Sequence, residues 1–339
     1  MLITRILGDC PSCKGKNSFG NVSIHQDHVQ QGCKLCAYEP VLFLPKIQKK
    51  VLYLDQAFFS LAFKGRDTRF LTAIEKIKHM THLQLLVAPY SSVHENETHL
   101  WRNHKELMEF IKETARGTKF KKAHNVKRTQ ILKAWVSFLK GQPTEYIFEK
   151  SDAIEDTLDA WDDYFRIDVS SNMRDVQYKR MRKTRAVQEL IDAFSTWQTS
   201  TQTFEQDVAL EIRDAGKAMV NQISQGNFNT FTDSPIVDKL YWLPEDQPLV
   251  DRMQRCMEFL VSEHFANIPN LWIEARMFAT LKDMVKQGAY ANREKAHERL
   301  SGVFEDFEQI ALYAPYCDAF FMDKSMAELV RKPKVRHKQ

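Results

Sequence analysis

Two pairs of cysteines near the start of the chain constrain its folding more than any other feature. Cys10 and Cys13 form CPSC, Cys33 and Cys36 form CKLC, and 19 residues separate the pairs. Each C-x2-C supplies two thiolates from one tight turn, and a gap of this length accommodates a β-hairpin, which together satisfy a tetrahedral zinc. Gly15 and Gly32 stand beside the knuckles, where tight backbone turns are expected. Val22, Ile24 and Val29, and later Val41 and Phe43, alternate as in strands. The spacing therefore predicts a zinc ribbon over residues 1–46, with the metal supplying much of its folding free energy. His25 and His28 lie in the gap and read as surface residues rather than ligands. The remaining cysteines, Cys256 and Cys317, are isolated. Two disulfides would require an oxidising compartment. No signal-peptide core precedes Cys10, and no apolar run approaches the roughly 20 residues that span a bilayer. A cytoplasmic protein with no membrane segment is expected.

Beyond Pro45 and the basic stretch KIQKK the texture changes. Val51-Leu52-Tyr53-Leu54 is a short apolar run ending in Asp55. A helical stretch with Phe70, Leu71, Ile74 and Ile77 follows, then a second strand candidate, Leu83–Val87. A third, Ala319–Met322, ends in Asp323. This alternation predicts an α/β class with a parallel sheet, whose strand carboxyl ends carry acids where such sheets place their sites. Between about residues 100 and 290 the periodicity is helical almost throughout. The stripes Ile131, Trp135, Phe138, Leu139 and Leu271, Ala275, Phe278, Leu281 read as core packing. With 11 Gly and 11 Pro in 339 residues, long helices are favoured over linkers. No Gly-rich phosphate loop or nucleophile elbow is present.

His94 and His99 bracket Glu95 and Glu97 and invite comparison with a metalloprotease helix. Five residues apart, they stand about 140° round a helix and cannot share a zinc as an i, i+4 pair does. The segment instead fits a helix capped by Ser92, with Glu95 at the third position of a capping box. On a wheel running to Leu107, Val93, Leu100, Trp101, His104 and Leu107 define an apolar face with Glu97 in its middle and Glu95 opposite. A carboxylate facing inward needs a partner, and a divalent cation is one candidate. A second wheel over residues 300–311 puts Asp306 on the rim of an apolar arc, and Asp318 opens the last strand.

These residues resemble the PIN (PilT N-terminal) nuclease family over residues 50–101 and 295–332. The resemblance implies a discontinuous PIN-like parallel-sheet core interrupted by a large helical insertion, 102–294. It also implies a catalytic site in which Asp55, Glu97, Asp306 and Asp323 hold Mg²⁺ or Mn²⁺, with Asp318 at a further acidic position, for hydrolysis of phosphodiesters, RNA first. The chemistry is coherent without the family. Clustered carboxylates cannot all stay ionised unpaired, and a hard cation relieves them while activating water.

Net charge is +4, and its distribution is uneven. Residues 119–128 hold five basic residues and no acid, 174–185 hold six against one Asp, and the tail 331–339 holds five more. Lys121, Lys122, Arg128, Arg180, Arg182 and Lys183 are the expected nucleic-acid contacts, and 333–339 a basic tail. The expectation is a metal-dependent endoribonuclease. A non-catalytic nucleic-acid or protein-binding module and a DNA-directed flap-type nuclease are the alternatives. A homo-oligomer or a regulatory protein partner stays open.

Overall fold

A computed structural model describes residues 2–99, 101, 103–162, 176–224, 248–332 and 334–335. The chain divides into two compact units. The first comprises Met1–Phe120, Ile154–Asn172 and Cys317–Phe321, and the second Lys121–Ala153, Met173–Tyr316 and Met322–Gln339.

The first unit opens with an antiparallel sheet of four strands in chain order: β1 (Arg5–Gly8), β2 (Phe19–Ile24), β3 (His28–Cys33) and β4 (Val41–Phe43). Gly20 pairs with Ile6 so closely that a Cβ there would stand 2.1 Å from the Arg5 carbonyl oxygen, so no side chain fits. The second sheet is parallel, with β5 (Lys50–Leu54) between β6 (Leu86–Val87) and β7 (Ala319–Phe321). As the central strand, β5 is covered on both faces, which is why its run is apolar without alternation. Leu54 joins Phe58, Phe59, Ala62, Ile74, Leu107 and Ile111 in one core. On the opposite face Tyr53 stacks on Phe320 at 3.9 Å between ring centres. The helices of this core are α1 (Gln56–Lys64), α2 (Thr68–His82) and α4 (His104–Ala115), and α3 (Ser92–Thr98) lies between α2 and α4 in the chain. The second strand is shorter than its apolar run, since Leu83 ends α2 and Gln84 turns with φ 58°.

Residues 154–162 form a strap across this unit. Phe120 bridges Ile154, and the buried Lys49 ammonium pairs with Asp162 and donates to the Thr157 carbonyl. Trp161 donates from its indole to the Pro45 carbonyl at 2.8 Å and from its backbone to Gln26. The ion pair explains how a lysine only 1% exposed is accommodated.

The described helices of the second unit are α5 (Ala123–Leu139), α6 (Val176–Asp192), α7 (Phe194–Thr199), α8 (Phe204–Ser224), α9 (Leu249–Leu260), α10 (Glu263–Ala266), α11 (Pro269–Lys286), α12 (Arg293–Arg299), α13 (Val303–Tyr313) and α14 (Lys324–Val330). Ile131, Trp135, Phe259, Leu260, Phe265 and Ile268 form one core, and Phe204, Val208, Ala275 and Ala279 join α8 to α11. Asp207, 2% exposed, is paired by Lys286 at 2.7 Å and faces Lys282, which also holds Glu211. No helix of the described residues is long and apolar enough to cross a membrane.

The units do not follow the boundaries expected from sequence. Residues 102–294 do not separate as one insertion, because α4 and the strap belong to the first unit, while α12, α13 and α14 belong to the second. The architecture is mixed α/β with a three-stranded parallel sheet, many helices and an N-terminal cysteine cluster.

Candidate metal centre and carboxylate edge

Cys10 follows β1, Cys33 ends β3, and Cys13 and Cys36 sit in the turns after them. In the first knuckle the Lys14 N–H donates to the Cys10 carbonyl and Lys14 takes φ 59°. A Cβ on Gly15 would stand 2.6 Å from the Leu35 Cδ1 and 2.8 Å from the Ser18 hydroxyl, so a larger residue there would have to displace these side chains. In the second, the Leu35 N–H lies 3.3 Å from the Cys33 sulfur. All four sulfurs fall within 4.8 Å of one another, with Cys10–Cys36 at 3.8 Å and Cys13–Cys33 at 3.7 Å. These separations are far too long for a disulfide. They match the edge of about 3.8 Å in a tetrahedron with metal–sulfur bonds of about 2.3 Å. The Ser18 hydroxyl at 3.3 Å, with the Leu35 N–H, brings the Cys33 thiol down to about 6, while burial and the neighbouring sulfurs push Cys36 up to about 12, so a metal bound here would displace a proton from the cluster. Four thiolates with no open position suit a structural zinc.

At the other candidate site, Asp55 follows β5 directly and is the N-cap of α1, its Oδ1 accepting from the Phe58 N–H at 2.7 Å. Asp323 stands two residues past β7 and caps α14 in the same way, accepting from the Met326 N–H at 2.9 Å. Leu54 and Phe321 are paired across β5 and β7, so both strands run out into a capping aspartate.

The helix carrying Glu95 and Glu97 differs from expectation. Its N-cap is Ser91, not Ser92, and the third position is His94, not Glu95. The Ser91 N–H donates to His94 Nδ1 at 2.9 Å, which leaves the ring proton on Nε2 to donate to the Leu54 carbonyl at 2.7 Å. Burial pushes the His94 imidazole down to about 4. Gln56 donates to the Thr98 hydroxyl at 2.9 Å. Asp55's two chain neighbours are thus fastened to His94 and Thr98, one turn apart on α3. The helix also ends at Thr98, and α4 begins at His104, so the continuous wheel to Leu107 does not exist. Relative to the midpoint of His94 and Thr98, Glu95 and Glu97 lie about 80° to either side. Both are half-buried. Facing alone does not distinguish them.

Asp318 occupies the wrong edge to join Asp55. It opens β7, its carboxylate accepts from the Val51 N–H at 2.8 Å, and Lys50 pairs with it at 3.3 Å. Because the strands are parallel, it sits about 13 Å along the sheet from Asp55, four residues at about 3.3 Å each. Asp306 lies in the first turn of α13, in the second unit, where its carboxylate closes over Gly302. Asp323 belongs to that unit as well, on α14. Among the described residues, the four cysteines are the group of three or more Cys, His, Asp or Glu whose ligand atoms gather within 4.8 Å.

The expected nucleic-acid contacts also divide. Lys122, the N-cap of α5, and Arg128, within it, are exposed, whereas the Lys121 ammonium donates to the Ser151 carbonyl at 2.6 Å. Arg180, Arg182 and Lys183 belong to α6 by their backbone, and their side chains lie outside the described residues. Of the tail 333–339, Lys334 pairs with Asp283 at 2.8 Å, and 333 and 336–339 lie outside the described residues. Sequence reasoning missed His94 as the clasp of this edge. The signal was Ser91-x-x-His94, a capping box with an imidazole in place of the usual carboxylate.

No family model, curated protein or solved structure matches the chain.

Proposed function

We propose that the chain is a Mg²⁺- or Mn²⁺-dependent nuclease acting on RNA, with zinc held by Cys10, Cys13, Cys33 and Cys36 as a structural ion. One observation carries the nuclease reading. Adjacent parallel strands, paired Leu54 to Phe321, each run out into an aspartate that caps the next helix, and His94 and Thr98 fasten an acid-bearing helix around the first of these. The carboxyl edge of a parallel sheet is where α/β folds concentrate their chemistry. Capping by one carboxylate oxygen orients Asp55 and Asp323.

The donors at this edge are oxygens, which suit a hard cation. Mg²⁺ typically takes one or two carboxylates and keeps several waters, so a gathering of three acids is not a prerequisite. Bound there, the cation would lower the pKa of a water and steady the leaving oxygen of a phosphodiester. Asp55 and Glu97 are assigned to hold it, with Asp306 and Asp323 as further acids of the reading. Asp318 is left out, because Val51 and Lys50 already engage it at the far edge.

N-capping alone would also account for Asp55 and Asp323 in a non-catalytic binding module. Matched single-stranded RNA and DNA, incubated with the zinc-loaded protein in Mg²⁺, Mn²⁺ or EDTA, separates the readings. Metal-dependent cleavage of RNA that disappears in Asp55→Asn is the expected result. Cleavage of neither strand under any metal would overturn the enzyme, and cleavage of DNA alone would transfer it to the flap-type class.

A further inference from the structure

We propose that the side-chain carbonyl oxygen of Gln56 is a direct ligand of the divalent cation assigned above to Asp55 and Glu97. The proposal rests on that reading and adds to it a neutral donor. Gln56 opens α1 immediately after Asp55, and its amide nitrogen donates to the Thr98 hydroxyl on α3 at 2.9 Å. Thr98 is 1% exposed and follows Glu97 in the chain. One hydrogen bond thus ties the residue after Asp55 to the residue after Glu97. On the other side of Asp55, the Leu54 carbonyl accepts from His94 of the same helix. β6 accompanies β5 only as far as Val51, so on that flank it is α3 that meets Leu54.

The other end of the same amide is the telling one. The Gln56 side-chain oxygen is buried, and no hydrogen-bond donor of the protein reaches it. A buried carbonyl without a partner forfeits its hydration, and folded proteins seldom tolerate one unmatched. Packing does not require this oxygen, since a leucine would fill the place without stranding a polar atom. Across the planar amide the oxygen stands about 2.2 Å from the nitrogen, so it too lies at the seam between α1 and α3. A water would need about 2.8 Å of clearance from it. A bare Mg²⁺ stands about 2.1 Å from its ligands and enters a tighter space. Side-chain amide oxygens are ordinary donors to hard cations. With Asp55 and Glu97, Gln56 would fill part of an octahedral set and leave the rest for water and phosphate. Two carboxylates balance the charge of the cation, and the neutral amide adds a ligand that does not repel a polyanion.

The test titrates the full-length, zinc-loaded protein with Mn²⁺ alone and reads the free ion by its electron paramagnetic resonance. Gln56→Leu should weaken Mn²⁺ binding roughly 10-fold or more. Gln56→Glu keeps an oxygen at the place and can accept from the Thr98 hydroxyl, so it should retain binding. Thr98→Val removes the tie but not the donor and should cost less than Gln56→Leu. In the parent, the Gln56 side-chain NH₂ resonances, assigned by their absence from Gln56→Leu, should shift when Mg²⁺ is added. A role in packing alone predicts no such shift and equal losses in Gln56→Leu and Gln56→Glu. Parent-like Mn²⁺ affinity in Gln56→Leu overturns the proposal, as does a Gln56→Glu variant that loses Mn²⁺ to the same extent as Gln56→Leu. Failure of the underlying reading is distinct. Mn²⁺ binding that survives Asp55→Asn would remove the carboxylate site, and a parent that binds no Mn²⁺ would remove both. Binding lost in Asp55→Asn but unchanged in Gln56→Leu would remove Gln56 alone.

Discussion

His94 Nε2 lies 2.7 Å from the Leu54 carbonyl oxygen, and this hydrogen bond ties α3 to the residue immediately before Asp55. The imidazole is 1% exposed and neutral, with Nδ1 accepting from Ser91 and Nε2 donating. A protonated ring would place a second proton on Nδ1, against the Ser91 N–H.

That arrangement predicts a pH dependence of stability. The folded state holds His94 at about 4, below its unfolded value of 6.5. Between these values the unfolded chain binds the extra proton, so the contribution is complete above pH 6.5 and declines as pH falls toward 4. The loss is on the order of 3 kcal/mol. Urea unfolding at pH 7, 5.5 and 4.5 should show wild type losing more stability than His94→Gln, which removes the titration. Parallel losses in the two proteins would reject His94 as the origin.

Elemental analysis should find one zinc per chain. X-ray absorption should place four sulfurs at about 2.3 Å. Cys13→Ser should abolish stoichiometric zinc. Gly20→Ala should weaken zinc retention against a chelator without touching a ligand, because its Cβ would press on the Arg5 carbonyl and part β1 from β2. Full zinc retention in Gly20→Ala would show that the sheet is not coupled to the knuckles.

Asp55→Asn should preserve the fold, since Asn caps a helix nearly as well as Asp, while metal-dependent RNA cleavage falls roughly 100-fold or more. Glu97→Gln and Glu95→Gln then decide the acid on α3. Glu97 is expected to carry the larger loss. The opposite ranking would assign Glu95, which is relieved of a capping role because His94 holds the third helical position. Thermal melts of all three variants within a few degrees of wild type would confirm that chemistry, not folding, is being read.

On α5, Lys122→Ala and Arg128→Ala should each flatten the salt dependence of RNA affinity by about 0.7 in log–log slope, as one phosphate contact does on a single strand. Lys121→Ala should change the slope little, because its ammonium is held by the Ser151 carbonyl. Equal slopes across all three variants would remove α5 from the polyanion track.

The cysteine spacing and β5 were legible in the sequence because both are local. Two C-x2-C turns contain all four donors, and a four-residue apolar run ending in Asp55 needs no distant partner to be recognised as a buried strand. The same locality covers the helical stripes of α5 and α11. The acids were a different problem. A wheel for Glu97 that runs through Leu107 assumes one helix, but the helix stops at Thr98, and His94 and Thr98 lock it to residues 54 and 56. Asp318 has the right residue type beside the right strand, yet register with Val51 puts it at the amino edge. Lys49 reads as one more linker lysine and is buried only because Asp162, 113 residues away, comes back to meet it. Short-range spacing determines which donors can share an ion or which residues line a strand. Strand register, helix termination and the return of distant chain decide which side chains meet, and these arise only when the core is assembled.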